Sequence, residues 1–481
     1  MSYYPTVVVG AGPAGLTAAY ELSKEGVTSI TLEQADKVGG IARTEIYKGY
    51  RFDIGGHRFF TKVKEVERLW YEVLGNDFIK VPRLSRIYYD NKFFSYPLEP
   101  HNALTNLGIV NSLLILSSYI KAKLRPNSVE DNLEQWVINR FGERLYRTFF
   151  KTYTEKVWGM PCTEIQAEWA AQRIRGLSLR KAAINALFGT NNTKTLIKEF
   201  DYPRLGPGMM WERFQTLLNQ KGSPVELNSE VVKIERQGNL IQRIQVRQNE
   251  EIRLVEGDNF VSSMPISKLV QLLEPAAPDS VIQAARSLEY RDFLIVSLII
   301  DQDNLFPDNW IYIHSPEFQV GRIQNFKNWS PEMVPEEGKT CLGMEYFCSR
   351  GDNVWSMPDK DLIKLASVEV VNLGLVDGIE LIQDGVVIRQ PRAYPVYNGE
   401  YRRHLDVIQQ FIKGFENLHT VGRNGMHRYN NQDHSMLTGI LAAKNILGES
   451  HDLWNVNTER SYHEEVTETS AESKKLELAT S

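Results

Sequence analysis

Three glycines near the start of the chain have the spacing that lets backbone approach a phosphate group. The stretch VVVGAGPAGLTAAYEL, residues 7–22, places Gly10, Gly12 and Gly15 between a β-branched strand and a predicted helix. In this G-x-G-x-x-G pattern the glycines allow a tight turn, close approach to pyrophosphate and close helix-on-strand packing, and the helix N-terminus attracts phosphate. The next predicted strand, SITLEQA, ends at Glu33, where a ribose-binding acid is expected. The pattern therefore predicts a bound dinucleotide.

Two further glycine pairs follow, each with a basic side chain shortly after it. They are Gly39-Gly40 before Arg43, and Gly55-Gly56 before His57. Paired glycines let backbone pass close to a flat ligand, and an arginine neutralises phosphate. A nicotinamide-binding domain usually continues straight into its next βαβ unit instead. The order of these motifs resembles the flavoprotein group of amine oxidases, phytoene desaturases, protoporphyrinogen oxidase and UDP-galactopyranose mutase, which implies an FAD cofactor.

The composition is that of a globular enzyme. Of the 481 residues, 42% are hydrophobic and 24% are charged, and the net charge is −5. The basic residues are scattered, which argues against a nucleic-acid partner. Cys162, Cys341 and Cys348 have no metal-site spacing and suit a reducing compartment. Because of this cysteine spacing we expect no metal site. Since the chain enters a strand without a signal peptide, we expect a cytoplasmic location.

One apolar stretch needs an explanation of its own. LGIVNSLLILSSYI, residues 107–120, is the most apolar part of the chain but contains Ser and Asn. It is too short to span a bilayer. We therefore expect a buried or groove-lining helix without a transmembrane span, with peripheral membrane contact as the alternative.

The predicted elements describe an α/β fold: a Rossmann-type FAD-binding domain assembled from discontinuous segments, with a helical insert and a mainly antiparallel sheet domain for substrate. LEQWVINRFGERLYRTFF, residues 133–150, is the clearest amphipathic helix. DNFVSSMP and NLHTVGRNG are expected to return to the first sheet. The predicted segments are 1–90, 201–265 and 396–450 for the FAD-binding domain, 91–200 for the helical insert, 266–395 for the sheet-rich domain and 451–481 for a polar, disordered tail.

Five short motifs, in order, resemble UDP-galactopyranose mutase, especially its eukaryotic branch, across residues 5–448. They are GGHRFF, FFSYPLEP, TYTEKVWGMPCTEIQAEWAAQRI, GRIQNFKNWSP and GRNGMHRYNNQDHSMLTG. The glycine motifs and this resemblance together imply a set of cofactor-binding residues: Gly10, Gly12, Gly15, Glu33, Gly39, Gly40, Arg43, Gly56, His57, Gly422, Arg423, Asn431, Gln432 and Asp433. The implied substrate-binding residues are Tyr96, Trp158, Arg173, Arg322, Trp329, Tyr394 and Tyr429.

The resemblance assigns the catalytic roles to His57, Arg173 and Arg322. His57 is expected to line the cofactor. A nucleotide sugar carries a diphosphate, which is held best by guanidinium groups from separate walls of a pocket. Arg173 and Arg322 match the two diphosphate arginines of the mutase family. Aromatic faces with hydroxyl donors suit a sugar.

The implied reaction is an isomerisation between pyranose and furanose ring forms, for which the chain offers no nucleophile. It contains no G-x-S-x-G or H-E-x-x-H motif. By resemblance, reduced FAD attacks the anomeric carbon through N5 and expels the nucleotide diphosphate. The resulting adduct opens and recloses with the other ring size before the diphosphate returns. NAD(P)H is a candidate external reductant.

An FAD-dependent oxidoreductase of the amine oxidase or desaturase type is the alternative, because the glycine motifs serve both chemistries. Two positions differ from the mutase pattern: Thr154 replaces an Asn, and Trp329 replaces a Tyr. Two converging arginines favour the mutase, since an amine or polyene substrate has no use for two cations. The sequence leaves the sugar, the nucleotide and the oligomeric state open.

Overall fold

The chain forms two compact units, each assembled from separate segments. The computed structural model describes residues 2–96, 98, 100–167, 195–196, 198–457 and 465–466. The first unit comprises Met1–Ile79, Asp201–Asp292 and Gln390–Thr458, and the second comprises Lys80–Phe200, Phe293–Arg389 and Glu459–Ser481. The helical and most of the sheet-rich sequence therefore belong to one unit. Arg173 and most of the predicted polar tail lie outside the described residues.

The first unit is built on an eight-stranded sheet. Its strand Ser2–Val9 pairs in parallel with Ser29–Leu32 on one side and Glu251–Ser262 on the other. The C-terminal half of this strand is buried on both faces, which explains its β-branched run. In order, the strands are Val225–Glu226, Ser29–Leu32, Ser2–Val9, Glu251–Ser262, Leu240–Gln248, Glu230–Gln237 and Leu273–Glu274, with Leu418–Thr420 also paired to Glu251–Ser262. The predicted return of DNFVSSMP and NLHTVGRNG to this sheet is confirmed.

Two helices from distant parts of the sequence pack closely in this unit. We call Pro13–Lys24 the fingerprint helix and Gln432–Ile446 the closing helix. A side chain at Gly439 would collide with the carbonyl oxygen of Ala14, so glycine allows the two helices to touch. The other helices are Lys64–Leu74, Gly208–Gln220, Ile266–Gln271, Asp279–Ser287 and Tyr401–Ile412, with short 3₁₀ turns at Gly40–Ala42, Gly75–Asp77 and Leu453–Asn455. A small hairpin joins Thr44–Tyr47 to Tyr50–Asp53.

The second unit is built on a seven-stranded, mainly antiparallel sheet, as the sequence predicted. Its strand order is Ile382–Pro395, Tyr290–Ile300, Thr340–Cys348, Arg322–Asn325, Trp310–Ile313, Ser85–Tyr89 and Lys92–Ser95. Ile311, Ile323 and Met344 face a buried core that also contains Leu362 and Ala366 of the helix Asp359–Asn372. Because strand residues alternate between faces, the residues before and after these three point to the opposite side of the sheet, which we call the second face.

Shorter elements complete the described chain. They are the paired strands Phe78–Pro82 and Glu199–Pro203, the paired strands Thr195–Leu196 and Glu465–Val466, the helices Phe326–Trp329 and Asn353–Ser356, and the 3₁₀ turns Pro331–Met333 and Ile379–Leu381.

The predicted single helix over residues 133–150 is wrong. The structure has a helix Leu133–Phe141, a break at Gly142, a short turn Glu143–Leu145, a π-helical stretch Tyr146–Lys151 and a further helix Thr152–Trp158. Gly142 has a φ of +83°, and a side chain there would lie 2.7 Å from the backbone nitrogen of Tyr119. Close approach of another helix therefore requires the break. The predicted apolar stripe is nevertheless buried at all six positions: Leu133, Trp136, Val137, Phe141, Leu145 and Phe149.

The expected burial of residues 107–120 is also wrong. They belong to Pro100–Leu124, which we call the apolar helix, and which is interrupted at Gly108 with φ 78° and ψ 162°. Within the described residues, Thr105–Leu124 is long and apolar enough to cross a membrane by length and composition, and none of its most apolar window is buried.

Candidate functional site

The glycine fingerprint forms a narrow backbone turn at the start of the fingerprint helix. Gly10 has a φ of +98°, and a side chain at Gly15 would collide with the Gly10 carbonyl oxygen. Gly12 caps the helix without any side-chain hydrogen bond. A Cβ atom added at Gly12 would lie 3.9 Å from the Cα atom of Gly40. Gly12 and Gly40 thus face each other at the N-terminus of the fingerprint helix, which forms a cradle suited to phosphate.

Glu33 lies at the rim of this cradle, at the end of the second strand. Its Oε2 accepts a hydrogen bond from the N–H of Ala11 at 2.8 Å, and its Oε1 accepts one from the N–H of Ala35 at 2.9 Å. Burial raises the pKa of this carboxyl above its ordinary value, while the two backbone bonds oppose the rise. The carboxylate is therefore fixed in position beside the first glycine turn.

Arg43 is held by three acceptors within the first unit. Its Nε donates to Glu45 Oε1 at 2.6 Å, and its Nη1 donates to the Gly40 carbonyl and to Gln390 Oε1, both at 2.8 Å. Gly39 reaches a φ of +102°, and a side chain there would meet Trp211 and Arg43. Glycine at position 39 therefore leaves room for the Trp211 ring and for the Cα and Cβ atoms of Arg43.

The histidine loop is joined to the closing helix. The amide nitrogen of Gln432 donates to the carbonyl oxygens of His57 and Arg58 at 3.4 and 3.1 Å, and His57 Nδ1 lies 3.1 Å from the Gly55 carbonyl. Asn431 and His434 cap this helix reciprocally. Asp433, which follows Gln432, is buried in the first turn of the closing helix. The structure thus brings the predicted His57, Asn431, Gln432 and Asp433 into one region.

The histidine loop directly follows a buried acid. Asp53, directly before Ile54-Gly55-Gly56-His57, accepts hydrogen bonds from the hydroxyls of Tyr202 and Thr44. Thr44 Oγ1 in turn accepts the N–H of Gly208 at 2.9 Å. Complete burial raises the pKa of Asp53 to about 8, although both hydroxyl donors favour the ionised form.

The closing segment stacks two predicted substrate residues against a predicted cofactor residue. The rings of Tyr394 and Tyr429 are stacked at 5.6 Å and 17°. The guanidinium of Arg423 lies over the Tyr429 ring at 4.5 Å, and its Nε donates to the Asn430 carbonyl at 2.9 Å. Gly422, with a φ of +79°, packs on Ala14 of the fingerprint helix. All four residues therefore belong to the first unit.

Arg322 lies on the second face of the sheet in the second unit, where a buried carboxylate orients it. Its Nε and Nη2 donate to Glu345 Oε2 at 2.7 and 2.6 Å, and Gln324 Nε2 donates to Glu345 Oε1 at 2.7 Å. The Glu345 side chain is 0% exposed, whereas that of Arg322 is 18% exposed. The pair spans adjacent strands in register. The sheet therefore fixes the direction of a partly accessible cation.

Aromatic side chains surround the strand next to Arg322. Tyr312, which is in register with Arg322, contacts the rings of Tyr96 and Tyr153 at 5.1 and 5.5 Å. Trp310 and Trp329 are stacked at 5.4 Å, and both are almost fully buried. Of the predicted substrate aromatics in this unit, Tyr96 is partly exposed, whereas Trp158 and Trp329 are buried.

Lys156 of the predicted Lys-Val-Trp motif links the helix Thr152–Trp158 to the sheet. Its Nζ donates to three carbonyl oxygens, those of Ile313, Ser315 and Val320, at 3.0 to 3.2 Å. Burial lowers the pKa of this ammonium to about 8. The lysine therefore holds Tyr153, on the same helix, beside Tyr312 on the second face.

Sequence reasoning missed Glu345, Asp53, Tyr312 and Tyr153. The two acids carried a usable signal, because each interrupts an apolar strand, CLGMEYFC and YRFDIGG. A carboxylate in such a position is almost never buried without a partner. The two tyrosines carried no comparable signal, since tyrosine occurs equally in cores and in pockets.

A known protein family covers residues of both units. The family described as flavin containing amine oxidoreductase matches residues 13–374, which is most of the chain. The chain belongs to this family. The match confirms a flavoprotein related to the amine oxidase and protoporphyrinogen oxidase group, with the α/β fold expected for it.

Curated relatives of this chain differ in chemistry. The chain is 24% identical over 322 residues to coproporphyrinogen III oxidase of Mycobacterium leprae, covering 63% of this chain and 68% of that protein. It is 28% identical over 170 residues to a probable UDP-galactopyranose mutase of Klebsiella pneumoniae, covering 34% of this chain and 42% of that protein. It is also 25% identical over 277 residues to phytoene desaturase of Pantoea ananas, covering 54% of each.

Solved structures share the fold over nearly the whole length. A crystal structure of reduced UDP-galactopyranose mutase matches with a TM-score of 0.84 and 21% identity, covering 95% of this chain and 96% of that one. A putative protoporphyrinogen oxidase from Exiguobacterium matches with a TM-score of 0.69 and 15% identity, covering 93% of this chain and 99% of that one. At these identities the likeness concerns the fold alone.

The residues of the first unit fit the FAD that the family binds. The Gly10–Gly15 turn and the facing Gly40 leave a backbone cradle for pyrophosphate. Glu33 is the acid beside it for a ribose, and Arg43 is the adjacent cation. Gly422 packs on Ala14 of the fingerprint helix, and Asp433 belongs to the closing helix. Both lie in the segment that the resemblance assigned to flavin. We propose that these residues hold the cofactor.

We predict that Glu33→Leu weakens FAD binding by roughly 1–3 kcal/mol, since a hydrogen-bonded buried carboxylate is lost. Glu33→Gln, which keeps one acceptor, should lose less. Glu25→Leu, which removes an exposed acid of the same unit, serves as the control. The measurement is the flavin content of purified protein and the Kd for FAD after removal and reconstitution. Unchanged FAD affinity in a folded Glu33→Leu variant would contradict the assignment.

Asp53 gives a prediction for the pH dependence of stability. Its pKa is about 8 in the folded protein, against an ordinary 3.8. Between these values the folded state holds a proton that the unfolded chain has released, so Asp53 lowers stability as pH rises through that window. Asp53→Asn cannot titrate. Urea unfolding at pH 5 and pH 8 should therefore show the variant gaining stability relative to the unmodified protein as pH rises. A pH-independent difference would refute the raised pKa.

Proposed function

We propose that this protein is a flavin-dependent mutase that interconverts the pyranose and furanose forms of a nucleotide sugar. The observation that carries the proposal is Arg322, a partly accessible guanidinium fixed by a fully buried carboxylate beside several aromatic rings. A cation of fixed direction suits a diphosphate, and aromatic faces suit a sugar or a base. The similarity in fold to reduced UDP-galactopyranose mutase supports the same conclusion.

The protein side of the reaction is binding and orientation. Reduced FAD, when bound, supplies the nucleophile for the anomeric carbon, and NAD(P)H is the proposed source of its electrons. We assign Arg322 and Arg173 to the diphosphate, where two cations stabilise the charge that develops on the leaving group. Keeping that group bound allows it to return to the rearranged sugar. Tyr96, Tyr394 and Tyr429 are the proposed sugar contacts, and His57 is proposed to line the cofactor.

A second candidate is an FAD-dependent oxidoreductase. The matched family is an oxidoreductase family, and the curated relatives include coproporphyrinogen III oxidase and phytoene desaturase. Such an enzyme would cycle its flavin against an electron acceptor. Arg322 favours the mutase over an amine oxidase because a diphosphate accepts hydrogen bonds from a guanidinium, whereas a cationic amine has no acceptor to offer.

We predict that purified protein converts a UDP-sugar between its ring forms only after its flavin is reduced with dithionite. The isomerisation is redox-neutral overall, so NAD(P)H should be needed for activation and not consumed with each turnover. Chromatography of the nucleotide sugars and absorbance of the flavin give the two readouts. Steady flavin reoxidation by oxygen or a quinone with an organic substrate, and no ring isomerisation, would select the oxidoreductase instead.

We predict that removing Arg322 weakens UDP binding about tenfold to a hundredfold, equivalent to about 1.5–3 kcal/mol for a charge-assisted pair. Because Arg322→Ala alone leaves Glu345 buried without its cation, the test uses Arg322→Ala with Glu345→Gln. Arg322→Lys should rescue binding only partly. Arg173→Ala should weaken UDP binding similarly.

The same sheet offers a matched control. Arg86 pairs with the fully buried Asp308, and it is in register with Ile311 of the buried core. Arg86→Ala with Asp308→Asn removes an equivalent ion pair but should leave UDP affinity unchanged. Calorimetry measures UDP binding, and absorbance should show normal FAD content throughout. Equal UDP affinity in the Arg322 and Arg86 double variants would reject the role of Arg322.

A further inference from the structure

The apolar helix presents an unusual outer surface. Seventeen large hydrophobic residues are exposed among those that the structure describes, and seven of them lie on this helix. We call these seven the apolar face: Ile109 (80% exposed), Val110 (72%), Leu113 (61%), Leu114 (42%), Leu116 (51%), Ile120 (48%) and Leu124 (77%). The other ten are scattered over the rest of the chain. A contiguous aliphatic surface of this kind marks an interaction site in soluble and membrane-bound proteins alike.

The opposite side of the helix is attached to the second unit. It packs against the helices Leu133–Phe141 and Glu143–Leu145 and the strand Lys92–Ser95. Ala122 is buried, and the backbone at Tyr119 approaches Gly142 closely. Asn106 accepts a hydrogen bond from Lys92 and donates one to the carbonyl of Phe93. The apolar face is therefore held in one orientation on a folded support.

The charge at this surface is positive in a chain that is negative overall. Residues 100–125 contain no Asp or Glu, and Lys121, Lys123 and Arg125 cluster at the C-terminal end. Over residues 100–151 there are seven Lys or Arg and four Asp or Glu, whereas the whole chain has a net charge of −5. Lys121 and Arg125 are exposed. Basic residues beside an exposed aliphatic surface are complementary to anionic lipid headgroups.

A polar recess adjoins the basic end. It has a volume of about 660 Å³, and its walls include Lys123, Asn127, Asn139, Arg140 and Glu130, whose carboxylate accepts a hydrogen bond from Arg140 Nη1 at 2.7 Å. Lys123 donates to the Asn139 carbonyl at 3.0 Å, so its ammonium is fixed at the edge of the recess. The polar groups of the recess lie beside the aliphatic residues of the apolar face. In a bilayer, polar headgroups lie beside apolar acyl chains in the same way.

The helix geometry fits a helix lying on a membrane and not one crossing it. Gly108 interrupts the helix, which leaves 16 residues from Ile109 to Leu124. At 1.5 Å per residue this segment is roughly 24 Å long, shorter than a hydrocarbon core of about 30 Å. Its packed side also could not face lipid without unfolding the unit.

We propose that the apolar face docks this protein onto an anionic lipid bilayer surface. Its aliphatic side chains enter the boundary between headgroups and acyl chains, to a depth of roughly 5–10 Å. Lys121 and Arg125 contact the headgroups. None of these residues contributes to the candidate site for FAD and substrate.

A bilayer fits this surface better than a second copy of the chain. The apolar face contains no Trp, Tyr, Phe, Met or Arg, the residue types enriched where proteins bind one another. Two copies facing each other would also repeat the same positive charge at the rim, whereas phosphatidylserine neutralises it.

The test is flotation of the full-length holoprotein with lipid vesicles. Protein should float with vesicles of phosphatidylcholine and phosphatidylserine, bind phosphatidylcholine alone more weakly, and be released as salt is raised. Ile109→Gln/Leu113→Gln/Leu116→Gln should lower the partition coefficient at least about tenfold. Each charge removed should lower the partition coefficient for phosphatidylserine vesicles about fivefold. Lys121→Gln/Arg125→Gln should therefore abolish the preference for phosphatidylserine.

The matched control changes exposed aliphatic residues elsewhere. Ile252→Gln/Ile379→Gln/Leu240→Gln alters three such positions away from the apolar helix and should leave flotation unchanged. Flavin content and circular dichroism should be normal in all variants. Failure of the unmodified protein to bind anionic vesicles would overturn the proposal, as would normal flotation of the triple variant on the apolar helix. Sedimentation velocity showing a lipid-independent dimer that this triple variant dissociates would assign the surface to a second copy.

Discussion

The carboxylate of Glu345 has no exposed surface, and an ionised group in that position is tolerated only when it is paired and hydrogen-bonded. Arg322 and Gln324, on the neighbouring strand, satisfy that requirement. Because partner and acid are in register across two strands, the sheet and not a loop sets the direction of the guanidinium. The aromatic residues around Tyr312 then have a fixed cation beside them. The orientation of the Arg322 guanidinium in the second unit therefore depends on this one buried charge.

The sequence predicted the first unit well because its signals are local. Glycines at fixed spacing, an acid at the end of the following strand and β-branched runs each depend on a few neighbouring residues, and they placed the fingerprint turn, Glu33 and the returning strands correctly. The same pattern led to recognition of the flavoprotein group, which the family match supports.

The second unit was harder to predict because its features depend on packing between segments that are distant in the sequence. Six apolar residues at helical spacing gave the correct burial, but the break at Gly142 is caused by a neighbouring helix that is close in space. An apolar composition over residues 107–120 does not state whether its side chains are buried, and here none of the most apolar window is buried. Trp329 was chosen for its motif, yet its indole N–H donates to the Asn309 carbonyl inside the core. Arg173 lies outside the described residues, so its convergence with Arg322 stays a prediction.

The division into two units has a consequence for how the protein is made. The strand Ser2–Val9 lies beside Glu251–Ser262, and the fingerprint helix packs on the closing helix, which ends at Ile446. All seven strands of the second sheet, by contrast, have been translated once Pro395 leaves the ribosome. The nascent chain therefore carries a complete second sheet before its first unit can close. The first unit is therefore completed late in synthesis, and a product that stops before Gln432 would keep the Arg322–Glu345 pair but lack the closing helix on which the fingerprint helix packs.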